Sequence, residues 1–122
     1  MLTLHRQSRA KPGAMALNEA IEKVARGELT LIDVRDMGEM QRSGRAEGAI
    51  HIPLAVFRMK VDPASAEFHP DLALDRPVAL YCASGARSQM AAELMLHMGF
   101  TEVYNLGGLS QWQQAGGPVT RP

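Results

Sequence analysis

Chemistry in this chain concentrates in Tyr81-Cys82-Ala83-Ser84-Gly85-Ala86-Arg87-Ser88, which holds the single cysteine of the sequence. A cysteine attacks as its thiolate, so its neighbours decide its reactivity. Cys82 ends an apolar run, Pro77-Val78-Ala79-Leu80-Tyr81, and a helical pattern resumes a few residues later. In so tight a turn, successive backbone N–H groups can point inward and form an anion-binding nest. The helix N-terminus adds unpaired N–H groups and partial positive charge. Together they predict a thiol pKa below the free value of about 8.5. The same cradle suits an anionic substrate or a charged covalent intermediate.

The other residues of the stretch fit that purpose. Ala83, Ser84 and Gly85 have side chains too small to fill the bowl, and Gly85 adopts φ > 0 without penalty. Arg87 is placed to pair with a bound oxyanion or to pin the loop from outside. Ser88 is placed to cap the following helix. Cys82 is therefore the expected catalytic residue, and Ala83, Ser84, Gly85, Ala86, Arg87 and Ser88 the expected substrate-binding set. A lone cysteine is commonly an inert core residue. Its position between a strand, a small-residue loop, an arginine and a helix argues against that here.

No other cluster competes. His5, His51, His69 and His97 show no metal-ligand spacing, so no metal is expected, and no cofactor motif is present. Asp33, Arg35 and Asp36 lie at a strand end but form no catalytic arrangement. His51 and His97 are given structural roles. Arg58 is a candidate for the pocket mouth.

Positioning such a loop needs a strand before it and a helix after it. Leu17, Ala20, Ile21 and Val24 follow the spacing of one buried helix face, stopped by Gly27. Leu29 to Val34 reads as a buried strand. Asp36 and Glu39 have capping-box spacing for a second helix, which Ser43-Gly44 closes. Ala49 to Ile52 is a short strand and Leu54 to Met59 a brief helix. Asp62-Pro63 predicts a helical turn over Pro63–Phe68. Pro77 to Tyr81 is the most strand-like run. A helix over Ser88–Met98 places Met90, Ala91, Leu94, Met95 and Met98 on one face. Glu102 to Leu106 is a last strand, Gly107-Gly108 turns into a short helix, and Trp112 anchors it. Alternating strands and helices predict an α/β domain with a mostly parallel sheet, whose ligands sit beyond the carboxyl ends of the strands.

Composition narrows the partners. The chain has 122 residues, 46% hydrophobic and 21% charged, which suits one globular domain. Thirteen basic residues balance thirteen acidic ones, so no global attraction to nucleic acid or membrane is expected. No segment has the apolar run of a signal peptide or a membrane span. A reducing, cytoplasmic setting is the expectation, and there a lone cysteine stays a thiol.

The chain resembles the single-domain rhodaneses of the thiosulfate sulfurtransferase family. Four stretches carry the likeness, in order, over about residues 14–120: Leu31-Ile32-Asp33-Val34-Arg35-Asp36 with Glu39; Gly44 through Gly48-Ala49-Ile50-His51-Ile52-Pro53-Leu54; the CxxGxRS loop Cys82–Ser88; and Gly107-Gly108 with Trp112. The resemblance implies a five-stranded, mainly parallel sheet flanked by helices on both faces. It places one domain over residues 14–122, preceded by an irregular arm over 1–13. It also implies that Cys82 takes the outer sulfur of a donor such as thiosulfate as a persulfide and passes it to a thiol or cyanide acceptor. A thioredoxin-like protein or a sulfur carrier is an acceptor partner left open. Arg35 and Glu39 are implied to form a structural ion pair beside the site. The chain departs from many thiosulfate-using members in having Ala83 and Ser84, with no cation, directly after the cysteine.

Two other readings remain. Phosphatases and arsenate reductases on the same fold use HCX5R, a ring one residue larger. Here four residues separate Cys82 from Arg87, and Tyr81 stands where the histidine would be. The third reading is a non-catalytic interaction module, which loss of the cysteine would favour.

Overall fold

The computed structural model describes residues 11–121, so most of the expected N-terminal arm lies outside the described residues. The elements in chain order are α1 (Leu17–Ala25), β1 (Thr30–Asp33), α2 (Met37–Ser43), β2 (Arg45–Ala46), β3 (Ile50–His51), α3 (Leu54–Val61), β4 (Val78–Cys82), α4 (Ala86–His97), β5 (Val103–Gly108), α5 (Leu109–Gln114) and β6 (Val119–Thr120). The main sheet is parallel, in the order β3-β1-β4-β5. Gly13 extends it by a single parallel bridge to Tyr104, donating its N–H to Val103 O at 2.8 Å. The expected five-stranded, mainly parallel sheet is thus four strands and one bridged residue. β2 and β6 form a separate antiparallel pair.

All five residues of β4 are buried. Alternation along the strand divides them between two cores. Val78, Leu80 and Cys82 pack with Phe57 and Val61 of α3 and with Ala91, Ala92 and Met95 of α4. Ala79 and Tyr81 pack with Ala20 of α1 and with Leu109 and Trp112 of α5. Helices cover both faces, and the period of two sends Cys82 and Tyr81 to opposite sides. Trp112 is tied down where its indole N–H donates to Pro118 O at 2.9 Å.

Behind β4 lies a buried polar network. Asp33 and Arg35 are 0% and 3% exposed, with Arg35 Nη2 2.8 Å from Asp33 Oδ2. Arg35 also donates through Nη1 to Ser43 Oγ at 2.7 Å and through Nη2 to Gly44 O at 2.5 Å. The Tyr81 hydroxyl donates to Asp33 Oδ2 at 2.7 Å and accepts the Ala46 N–H at 2.9 Å. Burial, then the Asp33 charge, pushes the Tyr81 phenol well above its ordinary pKa, so it remains a donor. Burial opposes the Arg35 charge, but bonding and attraction from Asp33 outweigh it, and its pKa rises. The expected Arg35–Glu39 ion pair does not form: each residue has another partner, Arg35 with Asp33 and Glu39 with Arg87. Two residues along, Asp33 already satisfies the buried guanidinium.

Two local expectations are also corrected. Residues 63–68 form no helical turn. Asp62 does bond the Ala64 N–H at 2.9 Å, but the chain then makes successive turns, with Ser65 N donating to Asp62 O and Phe68 N to Ser65 O. Met90 is 57% exposed, because the face α4 buries is Ser88, Ala91, Ala92 and Met95.

Replacing Arg35 with Met should cost about 3–5 kcal/mol of stability in chemical denaturation, because it strands the Asp33 carboxylate in the core. A loss under about 1 kcal/mol would show that Asp33 does not depend on Arg35.

Candidate active site

The loop is built by three local constraints. Cys82 terminates β4, and Gly85 caps α4 with φ 103° and ψ −10°, a left-handed conformation that only glycine takes without strain. The chain therefore reverses within three residues and directs its amides back at the strand end. Gly85 N–H lies 2.9 Å from Cys82 Sγ, and Ser88 Oγ lies 3.4 Å from it. Burial pushes the Cys82 thiol up. The Ser88 hydroxyl and the amides of Ser88, Gly85 and Ser84 together outweigh that push, so its pKa falls below the ordinary value. Cys82 itself has no exposed surface, whereas Ala83, Ser84 and Ala86 are exposed.

Ser88 is not the helix cap. The helix starts at Ala86, two residues before the expected position, and Ser88 lies buried in its first turn. Its hydroxyl is 2.7 Å from Asn105 Oδ1 and 3.2 Å from Gly85 O, as well as within reach of the sulfur.

Arg87 pins the loop from outside. Its Nη1 and Nη2 donate to the two carboxylate oxygens of Glu39 at 2.7 and 2.8 Å. Glu39 also completes the capping box of α2, giving its amide to Asp36 Oδ1 at 2.8 Å and accepting the Asp36 amide at 3.1 Å. Arg87 holds the Glu39 carboxyl down to about 2, despite its burial. Glu39 in turn raises the Arg87 pKa above its ordinary range. The only cation in the stretch from Tyr81 to Ser88 is thus neutralised by a bidentate partner.

The loop rests on β5. Register slips by one residue there, with Leu80 opposite Asn105 but Cys82 opposite Gly108. This bulge carries Gly107 at φ 91°. A side chain on Gly85 would stand 3.2 Å from Gly107 Cα, and one on Gly108 would collide with the carbonyl of Ala83. Gln111 Oε1 accepts the Gly108 N–H at 2.6 Å and holds this platform to α5. Asn105 and Gln111 were not among the residues the sequence singled out. A polar residue inside an otherwise apolar strand, as at Asn105, was the available signal.

Other candidates stand outside this arrangement. His51 Nε2 lies 2.7 Å from Arg35 O and braces the end of β3. Arg58 lines a hollow with Ala55, Met59, Asp62 and Ser65, none of them loop residues. Among the described residues no group of three metal-ligating side chains converges. Among the described residues no helix is long and apolar enough to cross a membrane.

The site is thus a cysteine at the carboxyl end of an inner strand of a parallel α/β sheet, with a tight turn wrapped over it. The family model described as the rhodanese-like domain matches residues 16–115, and the chain belongs to that family. It is 28% identical to a thiosulfate sulfurtransferase, GlpE, of Shewanella oneidensis, over 83% of this chain and 92% of the relative. It is 37% identical to an uncharacterised protein, YqhL, of Bacillus subtilis, over 67% of this chain but only 59% of that relative's length. Its fold is similar to that of a Rhodopseudomonas palustris protein of unknown function, described as a possible tyrosine phosphatase. The TM-score is 0.80 at 27% identity, covering 93% and 89% of the two chains.

Two measurements test this geometry. Gly108→Ala should displace the loop by steric contact alone, because Gly108 has the extended φ of −115° that alanine accepts. Its thiol pKa should rise toward about 8.5, read from thiolate absorbance against pH; an unchanged profile in the folded variant would separate loop and platform. Glu39→Gln should be less stable than wild type at neutral pH. The Glu39 pKa is depressed, so this difference should shrink as pH falls from 4.5 toward about 2 and the wild-type carboxyl takes its proton. Denaturation across that range checks it, and a difference that grew with acid would reverse the sign.

Proposed function

We propose that the chain is a sulfurtransferase that carries a sulfane sulfur on Cys82. The observation that supports this most directly is the 2.9 Å approach of Gly85 N–H to Cys82 Sγ, with Ser88 Oγ at 3.4 Å, in a loop that lowers the thiol pKa. The Cys82 thiolate attacks the outer sulfur of the donor. With thiosulfate, the S–S bond breaks, sulfite leaves with the electron pair, and Cys82 holds a persulfide. An acceptor thiolate or cyanide then attacks the terminal sulfur, and the pair returns to Cys82 as thiolate. Two displacements through one covalent intermediate give ping-pong kinetics. Ala83, Ser84, Gly85, Ala86, Arg87 and Ser88 form the bowl, and its amides stabilise the charge on either sulfur. Cys82 is covered at rest, so turnover needs a local opening of the loop.

The donor is thiosulfate or another persulfide source. Arg87 is occupied by Glu39, and neither Ala83 nor Ser84 offers a cation, which favours a donor recognised by its sulfur over one recognised by its negative charge. A small thiol, a thioredoxin-like protein or a sulfur carrier serves as acceptor, in a reducing, cytoplasmic setting. The same occupied arginine and the four-residue spacing disfavour a phosphatase or arsenate reductase, both of which need a loop open to a tetrahedral oxyanion.

Incubation with thiosulfate or with a low-molecular-weight persulfide should add one sulfur atom to the intact mass. Reductant should remove it, and Cys82→Ser should not acquire it. No gain with either donor, or hydrolysis of an aryl phosphate that is lost in Cys82→Ser, would overturn the reading.

A further inference from the structure

Ser88 has one hydroxyl proton and three acceptors in reach: Asn105 Oδ1 at 2.7 Å, Gly85 O at 3.2 Å and Cys82 Sγ at 3.4 Å. It can serve only one at full strength. The neighbours of Asn105 fix its amide. Gly107 N–H donates to Oδ1 at 3.1 Å, while Nδ2 donates to Gly85 O and to Gln89 Oε1, each at 3.0 Å. A flip would set Nδ2 against the Gly107 N–H and Oδ1 against the Gly85 carbonyl. Oδ1 is therefore held facing Ser88 and takes the shortest of its three contacts. Gly85 O is already engaged by Asn105 Nδ2 and by the Gln89 amide, the latter at 3.0 Å.

We propose that Asn105 is a positioning residue that directs the Ser88 proton: it draws the proton off the sulfur while Cys82 is a thiol, and competes with the sulfur for it once Cys82 is a thiolate or a persulfide anion. The Ser88 hydroxyl then acts as a two-position donor. Facing Asn105, it leaves an oxygen lone pair free to accept the S–H. Facing Cys82, it joins the loop amides on the anion. Competition for the proton keeps the thiolate from being held too firmly to attack, because nucleophilicity falls as thiol pKa falls. The charged groups near this proton are few. Arg87 of α4 is paired with Glu39 of α2, whose start carries Asp36. β5 and α5 bring Asn105, Gly107, Gly108 and Gln111 to the loop, all uncharged. This inference deepens the sulfurtransferase reading, but its test reads ionisation and so stands or falls apart from turnover.

The test is a double-substitution cycle on Asn105 and Ser88, with thiolate absorbance recorded against pH in folded protein. Ser88→Ala removes the donor and should raise the thiol pKa by about one unit. Asn105→Ala removes the competitor and should lower it by a similar or smaller amount. In the Ser88→Ala background, Asn105→Ala should change nothing, because there is no proton left to direct. Asn105→Asp keeps the acceptor and strengthens it, so it should raise the pKa, and more so with Ser88 present than absent. This second variant reads the same point if Asn105→Ala fails to fold. A merely structural Asn105 would move the melting temperature without this dependence on Ser88. An upward or absent shift in Asn105→Ala, or equal shifts from either Asn105 substitution in both Ser88 backgrounds, overturns the proposal.

Discussion

A buried sulfur carries charge only where fixed dipoles replace the water it has lost, and the construction of this domain around Cys82 follows from that constraint. Desolvation is the largest influence on the thiol and acts against ionisation. Only several hydrogen bonds acting together reverse it, and they must be in place before the charge appears. The donors are the amides of Ser84, Gly85 and Ser88 and the Ser88 hydroxyl. Their aim depends on Gly85 being left-handed, on the bulge of β5 and on the bare backbone of Gly107-Gly108 beneath. Charge plays a smaller part: the only cation of the loop is tied to Glu39.

Polar groups on the other face of the sheet serve rigidity. Tyr81 and Cys82 are adjacent on β4, so they point into different cores. The Tyr81 hydroxyl, Asp33 and Arg35 knit β4 and β1 to the turn at Ser43–Ala46. No buried side-chain polar atom among the described residues lacks a partner. A buried ion pair is weak evidence of net stabilisation, yet breaking one is costly, which makes it a good lock. Here it fixes the carboxyl end of β1, where α2 begins, and α2 supplies the carboxylate that holds Arg87. The two arginines thus have separate duties, one inside the sheet and one on the loop.

How much of this was legible follows from which interactions are local. The strand–loop–helix around Cys82, the α2 capping box, the buried face of α1 and the parallel sheet all rest on periodicity or on contacts within one turn, and the sequence displays these directly. The Arg35–Glu39 pair, implied by the resemblance, fails because Asp33 holds Arg35 inside the core, while Glu39 meets Arg87 only after α2 and α4 are brought together. Pro63–Phe68 failed because Asp62 starts a turn and a helix in the same way, and only the following residues decide. Met90 failed because the buried face of α4 runs through Ser88, Ala91, Ala92 and Met95, and Met90 lies off it. Asn105 and Gln111 act through a bulge of β5, which the glycines at 107 and 108 hint at but whose partners only the folded register brings together.

The uncharged character of the loop also bears on what it can exclude. An open ring with a free arginine recognises oxyanions in general, because phosphate, arsenate and thiosulfate share charge and tetrahedral shape. A ring whose arginine is already bidentate to a carboxylate loses that general attraction and keeps only amides and a hydroxyl. Such donors stabilise a single charged atom seated among them, which describes a thiolate or the end of a persulfide better than a group with three spread oxygens. An incoming anion would have to displace Glu39 from Arg87, and the capping box of α2 holds Glu39 against that displacement. Specificity of this kind comes less from contacts to the right substrate than from an internal partner that occupies the place a wrong one would need.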